Sequence, residues 1–297
     1  MHAQAVFRFA PSPTGYLHLG HALSAIVNYK LAQRFSGRFL VRIEDIDSGR
    51  IRESFVSAIL EDLAWLGLDW EEPVWRQSQR FATYNDYCER LSAMGVLYPC
   101  FATRTQIVEA ARRASSPLDP DGAPVYPGLC RGLSKADIDK RRKASIPYAL
   151  RLDMAKALLI AKKKQASTDI TITHFSANGA QTKTKSDPAR WGDIVIARKD
   201  NGTSYHLASV IDDAAQEVTH VCRGKDLEAS TDIHRLLQIL LDLPPPFYHH
   251  HELLCDNNGR KLSKSAHDTA LHELRKDGWT PNRIHRYLKN FLRIYDI

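Results

Sequence analysis

Short apolar runs alternate with stretches of helical period at both ends of this chain, and the pattern fails in the middle. Val6 to Ala10 reads as a strand that runs into the turn-rich Pro11-Ser12-Pro13-Thr14-Gly15. Leu23, Ile26, Val27 and Leu31 then fall at i, i+3, i+4 and i+8, the stripe of a helix buried along one side. Arg38 to Ile43 predicts a second strand and Glu53 to Leu66 a second helix. Strand, helix, strand, helix at this spacing predicts parallel βαβ units. A further helix is expected from Gln79 to Met94. From about 98 to 190 no period holds. Ser115 to Gly128, rich in Pro, Asp and Gly, reads as a loop. Ser134 to Asp137 resembles a capping box opening a basic helix through Arg141, Arg142 and Lys143. The polar, lysine-rich stretch from Lys162 to Arg190 predicts no definite element.

Order resumes with a strand at Asp193 to Ala197, a helix from Tyr205, a strand at Val218 to Cys222 and a helix from Asp226 to Leu241. Thr280-Pro281 supplies an N-cap and a first-turn proline for a last helix reaching about Leu292. The expected fold is α/β: a mostly parallel sheet split by an α+β insertion, with a short helical tail. Residues 1–97 and 191–256 would form its two halves, 98–190 the insertion and 257–297 a polar loop and tail. Ligands of such a sheet bind at the carboxyl ends of its strands.

Composition narrows the class. A chain of 297 residues, 43% hydrophobic and 25% charged, suits a soluble globular protein of roughly two domains. No apolar run approaches the ~18 residues of a membrane span, so no membrane association is expected. The first ten residues carry an early arginine and no long apolar stretch, unlike a secretory signal. Cys88, Cys100, Cys130, Cys222 and Cys255 are scattered and form no C-x-x-C, which favours a reducing cytoplasm over a disulfide framework. The net charge of +7 fits a polyanionic partner, and surface solubility explains it equally well.

Two motifs carry chemistry. His18-Leu19-Gly20-His21 lies where a strand gives way to a helix. A glycine there lets backbone approach a ligand, the helix start offers N–H groups and a positive dipole end, and imidazoles can bond phosphate oxygens. Lys261-Leu262-Ser263-Lys264-Ser265 follows Asn257-Asn258-Gly259-Arg260 near the other end. Lysines on such a loop can close over a triphosphate and neutralise charge during attack at the α-phosphorus. Alone, the first motif reads as two surface histidines at a turn and the second as a solvated basic loop. In this order, at opposite ends of a split sheet, they are specific.

With these motifs the chain resembles the class I aminoacyl-tRNA synthetases. Arg8-Phe9-Ala10-Pro11-Ser12-Pro13-Thr14-Gly15, Arg42-Ile43-Glu44-Asp45-Ile46-Asp47, Ser204-Tyr205-His206 and Val221-Cys222-Arg223-Gly224 are similar to the glutamyl subgroup. The resemblance covers most of 1–115 and 190–295. It implies activation of glutamate by ATP, with Mg²⁺. Arg223 would grip the side-chain carboxylate, as a guanidinium can with two parallel bonds. Glu44 would face the ammonium, and Tyr205 would offer a hydroxyl. Arg8, Phe9, Ala10, Pro11 and Ser12 would line the glutamate site from the strand end. His18, Gly20, His21 and Lys264 would serve ATP, with His18, His21, Lys261 and Lys264 as the catalytic set. Without the resemblance, Glu44 reads as a structural ion-pair partner and Arg223 as a surface arginine.

The chain stops soon after Lys264, where glutamyl-tRNA synthetases continue into a helical region that reads the anticodon. In this it resembles the glutamyl-queuosine tRNA(Asp) synthetases. That resemblance implies activation without tRNA, transfer of glutamate to queuosine in the tRNA(Asp) anticodon, and a monomer. The alternative readings are a short glutamyl-tRNA synthetase charging the 3′ end, a nucleotidyltransferase with a small acceptor, and a non-catalytic tRNA-binding remnant. The intact His18, His21, Lys261 and Lys264 weigh against the remnant. One departure bears on metal. The related sequences often carry C-x-C and then Y-x-x-x-C as a zinc site; Cys100, Tyr126 and Cys130 remain here, and Ala102 stands at the second position. Two thiolates and a tyrosine make a poor structural zinc set, so no bound zinc is expected.

Overall fold

A computed structural model describes residues 4–47, 49–167, 169–199, 202–255 and 269–295. The first half runs β1 (Val6–Phe9), α1 (Leu19–Arg34), β2 (Arg38–Ile43), α2 (Glu53–Trp65) and β3 (Glu71–Arg76). The middle continues with α3 (Phe81–Ala93), β4 (Leu97–Cys100), α4 (Arg104–Arg113), α5 (Lys135–Lys143), β5 (Ala149–Leu152), α6 (Met154–Gln165), β6 (Thr171–Phe175) and β7 (Gln181–Lys185). It closes with β8 (Val195–Ala197), α7 (Tyr205–Ala215), β9 (His220–Gly224), α8 (Ser230–Leu241), β10 (Phe247–His251), α9 (Leu271–Lys276) and α10 (Pro281–Leu292).

The main sheet has the order β3-β2-β1-β9-β10-β6-β7 and is parallel except for the β6–β7 hairpin. Alternation along the strands sorts side chains to two faces. Phe7, Phe9, Val41 and Ile43 join the stripe of α1, where Leu23, Ile26, Val27 and Leu31 are buried as the spacing predicts. Val6, Leu40 and Val221 cluster on the opposite face. Two residues further along those same three strands come Arg8, Arg42 and Arg223. Each strand is thus apolar at its start and basic at its carboxyl end on the face that α7 and α8 cover. β1 and β9 meet at the centre of the sheet, where its two halves join.

The middle of the chain departs from the sequence reading in two places. The strand at Val195–Ala197 does not enter the main sheet; with β4 and β5 it forms a separate antiparallel sheet. Conversely, the lysine-rich stretch supplies β6 and β7, which extend the main sheet beyond β10. β7 (Gln-Thr-Lys-Thr-Lys) is exposed throughout, so burial gives it no sequence period. Lysines there suit an edge strand, since charge deters pairing with other chains. The helix expected from Asp226 begins as a short 3₁₀ turn at Lys225–Leu227, and α8 starts at Ser230.

Candidate functional site

A cleft of about 460 Å³ opens over the carboxyl ends of β1 and β9. Every residue assigned above to glutamate lines it: Arg8, Phe9, Ala10, Pro11, Ser12, Glu44, Tyr205 and Arg223. So do His18, Gly20 and His21. Lys261 and Lys264 lie outside the described residues. Cys222, Asp226, His251 and Leu254 also line the cleft and were not anticipated.

Arg223 is 5% exposed and held from four sides. It donates to Tyr205 Oη at 3.1 Å, to Thr231 Oγ1 at 2.7 Å, to His234 Nδ1 at 3.3 Å and to His250 Nε2 at 3.5 Å. Among the described residues no carboxylate pairs with it. The surrounding imidazoles are neutral. Burial, followed by the field of Arg223, pushes His250 down to about 2 and His206 to about 4, and holds His234 well below the ordinary histidine value. Burial likewise raises the Tyr205 hydroxyl, which therefore stays protonated. A buried guanidinium whose direct partners are all neutral favours an incoming anion, because an unpaired charge in a low-dielectric site is costly.

The opposite wall is acidic and rigid. Asp213 bridges two strands: Arg8 Nε reaches its Oδ1 at 3.0 Å and Arg42 Nη2 reaches the same oxygen at 2.8 Å. Arg42 is fully buried and also binds Gln216 at 2.9 Å and Glu44 Oε1 at 3.2 Å. Burial opposes the charge on Arg42, but Asp213, Glu44 and Asp212 together lift its pKa above the usual range. Glu44 Oε1 accepts from Ser209 Oγ at 3.2 Å as well, while Oε2 has no hydrogen bond among the described residues. Burial raises the Glu44 pKa, although Arg42 and Arg8 pull against it. An ammonium ion arriving beside Glu44 would stabilise the carboxylate form.

The histidine motif is built as a helix cap. His18 Nδ1 accepts from Gly20 N at 3.1 Å, and His21 Nδ1 accepts from His18 N at 3.3 Å. Each ring is therefore the tautomer with its proton on Nε2. Of the N–H groups at this helix start, that of Gly20 is satisfied by His18. Gly20 has a different reason: an added Cβ would sit 2.9 Å from His18 Cε1. The Asp213, Thr231, His234 and His250 partners were missed from sequence because each acts through a neighbouring arginine, and their spacing carries no motif.

Cys100, Tyr126 and Cys130 come together away from this cleft. The Cys100 thiol donates to Tyr126 Oη at 3.3 Å, which also accepts from Cys130 N at 2.8 Å. Arg151 lies 3.8 Å above the Tyr126 ring, and Ala102 packs alongside.

Comparison with known proteins matches residues 4–293 to the class I tRNA synthetase (E and Q) catalytic domain. The glutamyl-Q tRNA(Asp) synthetase of Rhodobacter capsulatus is 44% identical over 286 residues, covering 95% of this chain and 99% of that protein. The glutamate–tRNA ligase of Aquifex aeolicus is 34% identical over 282 residues, and the match covers 95% of this chain but 56% of the ligase. A crystal structure of a glutamate tRNA ligase from Elizabethkingia meningosepticum in complex with its amino acid superposes with a TM-score of 0.70 at 28% identity. That match covers 89% of this chain and 53% of the ligase, so the chain spans little more than half the length of such ligases. With nearly its whole length matched and the carboxyl-end cleft in place, the chain belongs to the catalytic-domain family of class I tRNA synthetases for glutamate and glutamine.

Proposed function

We propose that this protein activates glutamate with ATP and transfers it to queuosine in the anticodon of tRNA(Asp), working as a monomer in the cytoplasm. The observation that carries the reading is Arg223, a buried cation with neutral partners facing a cleft whose other wall presents Glu44. An amino acid with a second carboxylate fits that polarity: side chain to Arg223, ammonium to Glu44. Its α-carboxylate then lies toward Arg8, whose orientation Asp213 fixes, and toward the start of α1. ATP phosphates at α1 meet the Nε2 protons of His18 and His21 and the positive helix end. Attack of the α-carboxylate on the α-phosphorus releases pyrophosphate, with Lys264 neutralising the charge that develops. Catalysis rests on positioning and charge. No group of three or more metal-ligating side chains exists among the described residues. Mg²⁺ is accordingly assigned to the ATP phosphates, as is common for this ion, and no step here runs through it. Among the described residues no helix is long and apolar enough to cross a membrane, and the five cysteines are free, as a reducing compartment would keep them.

The higher identity to the glutamyl-Q tRNA(Asp) synthetase, over nearly all of that protein, supports queuosine as acceptor over a 3′ terminus. The test is where labelled glutamate appears. Queuosine-containing tRNA(Asp) with its 3′ end blocked should accept glutamate, and mild periodate cleavage of the queuosine diol should abolish this. Glutamate on the 3′ hydroxyl of an unmodified transcript would replace this reading with a short glutamyl-tRNA synthetase.

A further inference from the structure

A second cleft, of about 720 Å³, opens where α3 faces β5 and β8. Its charge is one-sided: Arg142, Arg198 and Lys199 line it against a single carboxylate, Glu89. None of the three cations pairs with a carboxylate among the described residues. Among the described residues Lys199 Nζ reaches the Ala102 carbonyl, at 3.4 Å. The cleft also has an aromatic surface in Tyr148. The Arg142 guanidinium lies 5.2 Å from the centre of that ring, and Phe101 abuts it at 5.2 Å. Arg141 stacks on Phe101 in turn, at 5.5 Å. The result is a row, Arg141–Phe101–Tyr148–Arg142, of two adjoining rings with a guanidinium at each end. α5, which contributes both arginines, buries none of its residues against the protein. A helix that packs so little and carries four cations in its last turn gives its charge to solvent or to a partner.

We propose that this cleft is a nucleotide subsite, in which a base of a single-stranded RNA loop stacks on Tyr148 and Arg142 while Lys199 and Arg198 hold its phosphate. Planar cations stacked at the ends of a ring pair match the stacked faces of unpaired bases, and the rim cations match the phosphates between them. An acidic peptide would use the cations but has no need of the rings. The position favours RNA too. Gly202 lines this cleft and Tyr205 lines the first, and three residues of chain span at most about 11 Å. A loop that delivers one nucleotide to the adenylate therefore passes this cleft with a near neighbour. The inference rests on the proposed function for its RNA partner and adds where the loop is held outside the reacting base.

The experiment separates the two claims. The double variant Arg198→Glu/Lys199→Glu and the single variant Tyr148→Leu are compared with the unaltered protein in two assays. The first is glutamate-dependent ATP–pyrophosphate exchange without RNA. The second is fluorescence anisotropy with the queuosine-containing anticodon stem-loop of tRNA(Asp) over a range of salt. Exchange should be unchanged in both variants, which also reports that they fold. The charge reversal should weaken RNA binding at least tenfold and reduce the salt slope by about 2, one per lost phosphate contact. Tyr148→Leu should weaken binding about fivefold or more at an unchanged slope, the scale of one lost base stack. RNA affinity and slope equal in all three proteins would overturn the subsite and leave the proposed function standing. An unaltered protein that exchanges pyrophosphate with glutamate but binds no stem-loop would remove the RNA reading and the subsite with it. Poly-glutamate binding as tightly as the stem-loop would overturn the assignment to a nucleotide.

Discussion

Replacing Arg223 by alanine removes the cation proposed to meet the side-chain carboxylate of the substrate. The structure sets the size of the effect. The guanidinium is 5% exposed, and the groups that remain around the hole are Tyr205, Thr231, His234 and His250. None is placed to supply positive charge near pH 7, because burial, the first cause of the depressed His250 and His234 values, persists when the field of Arg223 is gone. Leaving one member of a buried ion pair alone costs about 3–5 kcal/mol. Glutamine, with a neutral amide, loses about 1 kcal/mol of hydrogen bonding. Preference for glutamate over glutamine should therefore fall by about 2–4 kcal/mol, roughly 30- to 1000-fold in kcat/KM. The assay is pyrophosphate exchange with each amino acid, with the KM for ATP as an internal control that should hold. Burial is the first cause of the depressed histidines, so lowering the pH to 5 should not restore the preference. A variant that folds and retains its glutamate preference would refute the pocket assignment.

Three other outcomes are expected. Lys264→Ala should slow exchange by about 10²–10³, the scale of losing one charge-stabilising donor, and unchanged rates would remove its role. Purified protein should hold well below one equivalent of zinc by elemental analysis and keep its activity in chelator, since Tyr126 Oη sits between the Cys100 thiol and Cys130 N; stoichiometric zinc would contradict this. Asp62 is fully buried with neither carboxylate oxygen hydrogen-bonded among the described residues, and burial raises its pKa to about 6. The folded state then binds the extra proton, so stability should fall as pH rises from about 4 through 6, by up to about 3 kcal/mol. Asp62→Asn should flatten that slope in denaturant titrations, and an unaltered slope would place the titration elsewhere.

The sequence exposed those parts of the molecule whose pattern is local. Strand alternation and the Leu23–Leu31 stripe located β1, α1 and β2, and the phrases at the strand ends located the cleft residues. β3 escaped because Glu71–Arg76 is half exposed and shows no alternation. β6 and β7 escaped because their pairing with distant β10 is not written in a run of Thr and Lys. Within the site, spacing revealed His18 and His21 but not that they cap one another. The charge state of Arg223's surroundings required three imidazoles from three separate segments, which only the folded chain brings together.

Asp212 and Asp213 stand side by side on α7; both lie within ion-pair reach of Arg42, and their hydrogen bonds serve different neighbourhoods. Asp213 joins Arg8 and Arg42 beneath the amino-acid cleft. Asp212, wholly buried, accepts from Gln77 at 3.0 Å, Arg80 at 2.7 Å and Tyr84 at 2.7 Å, the residues that lead into and begin α3. One helical turn is therefore a rivet through both the sheet and the segment that carries the middle of the chain outward. A protease nick in the exposed loop near Gly122 should leave two fragments that stay associated and melt together. For the same reason, a middle segment grafted from a relative would need its own donors for Asp212, or the loosened rivet would reach the proposed glutamate pocket one residue away.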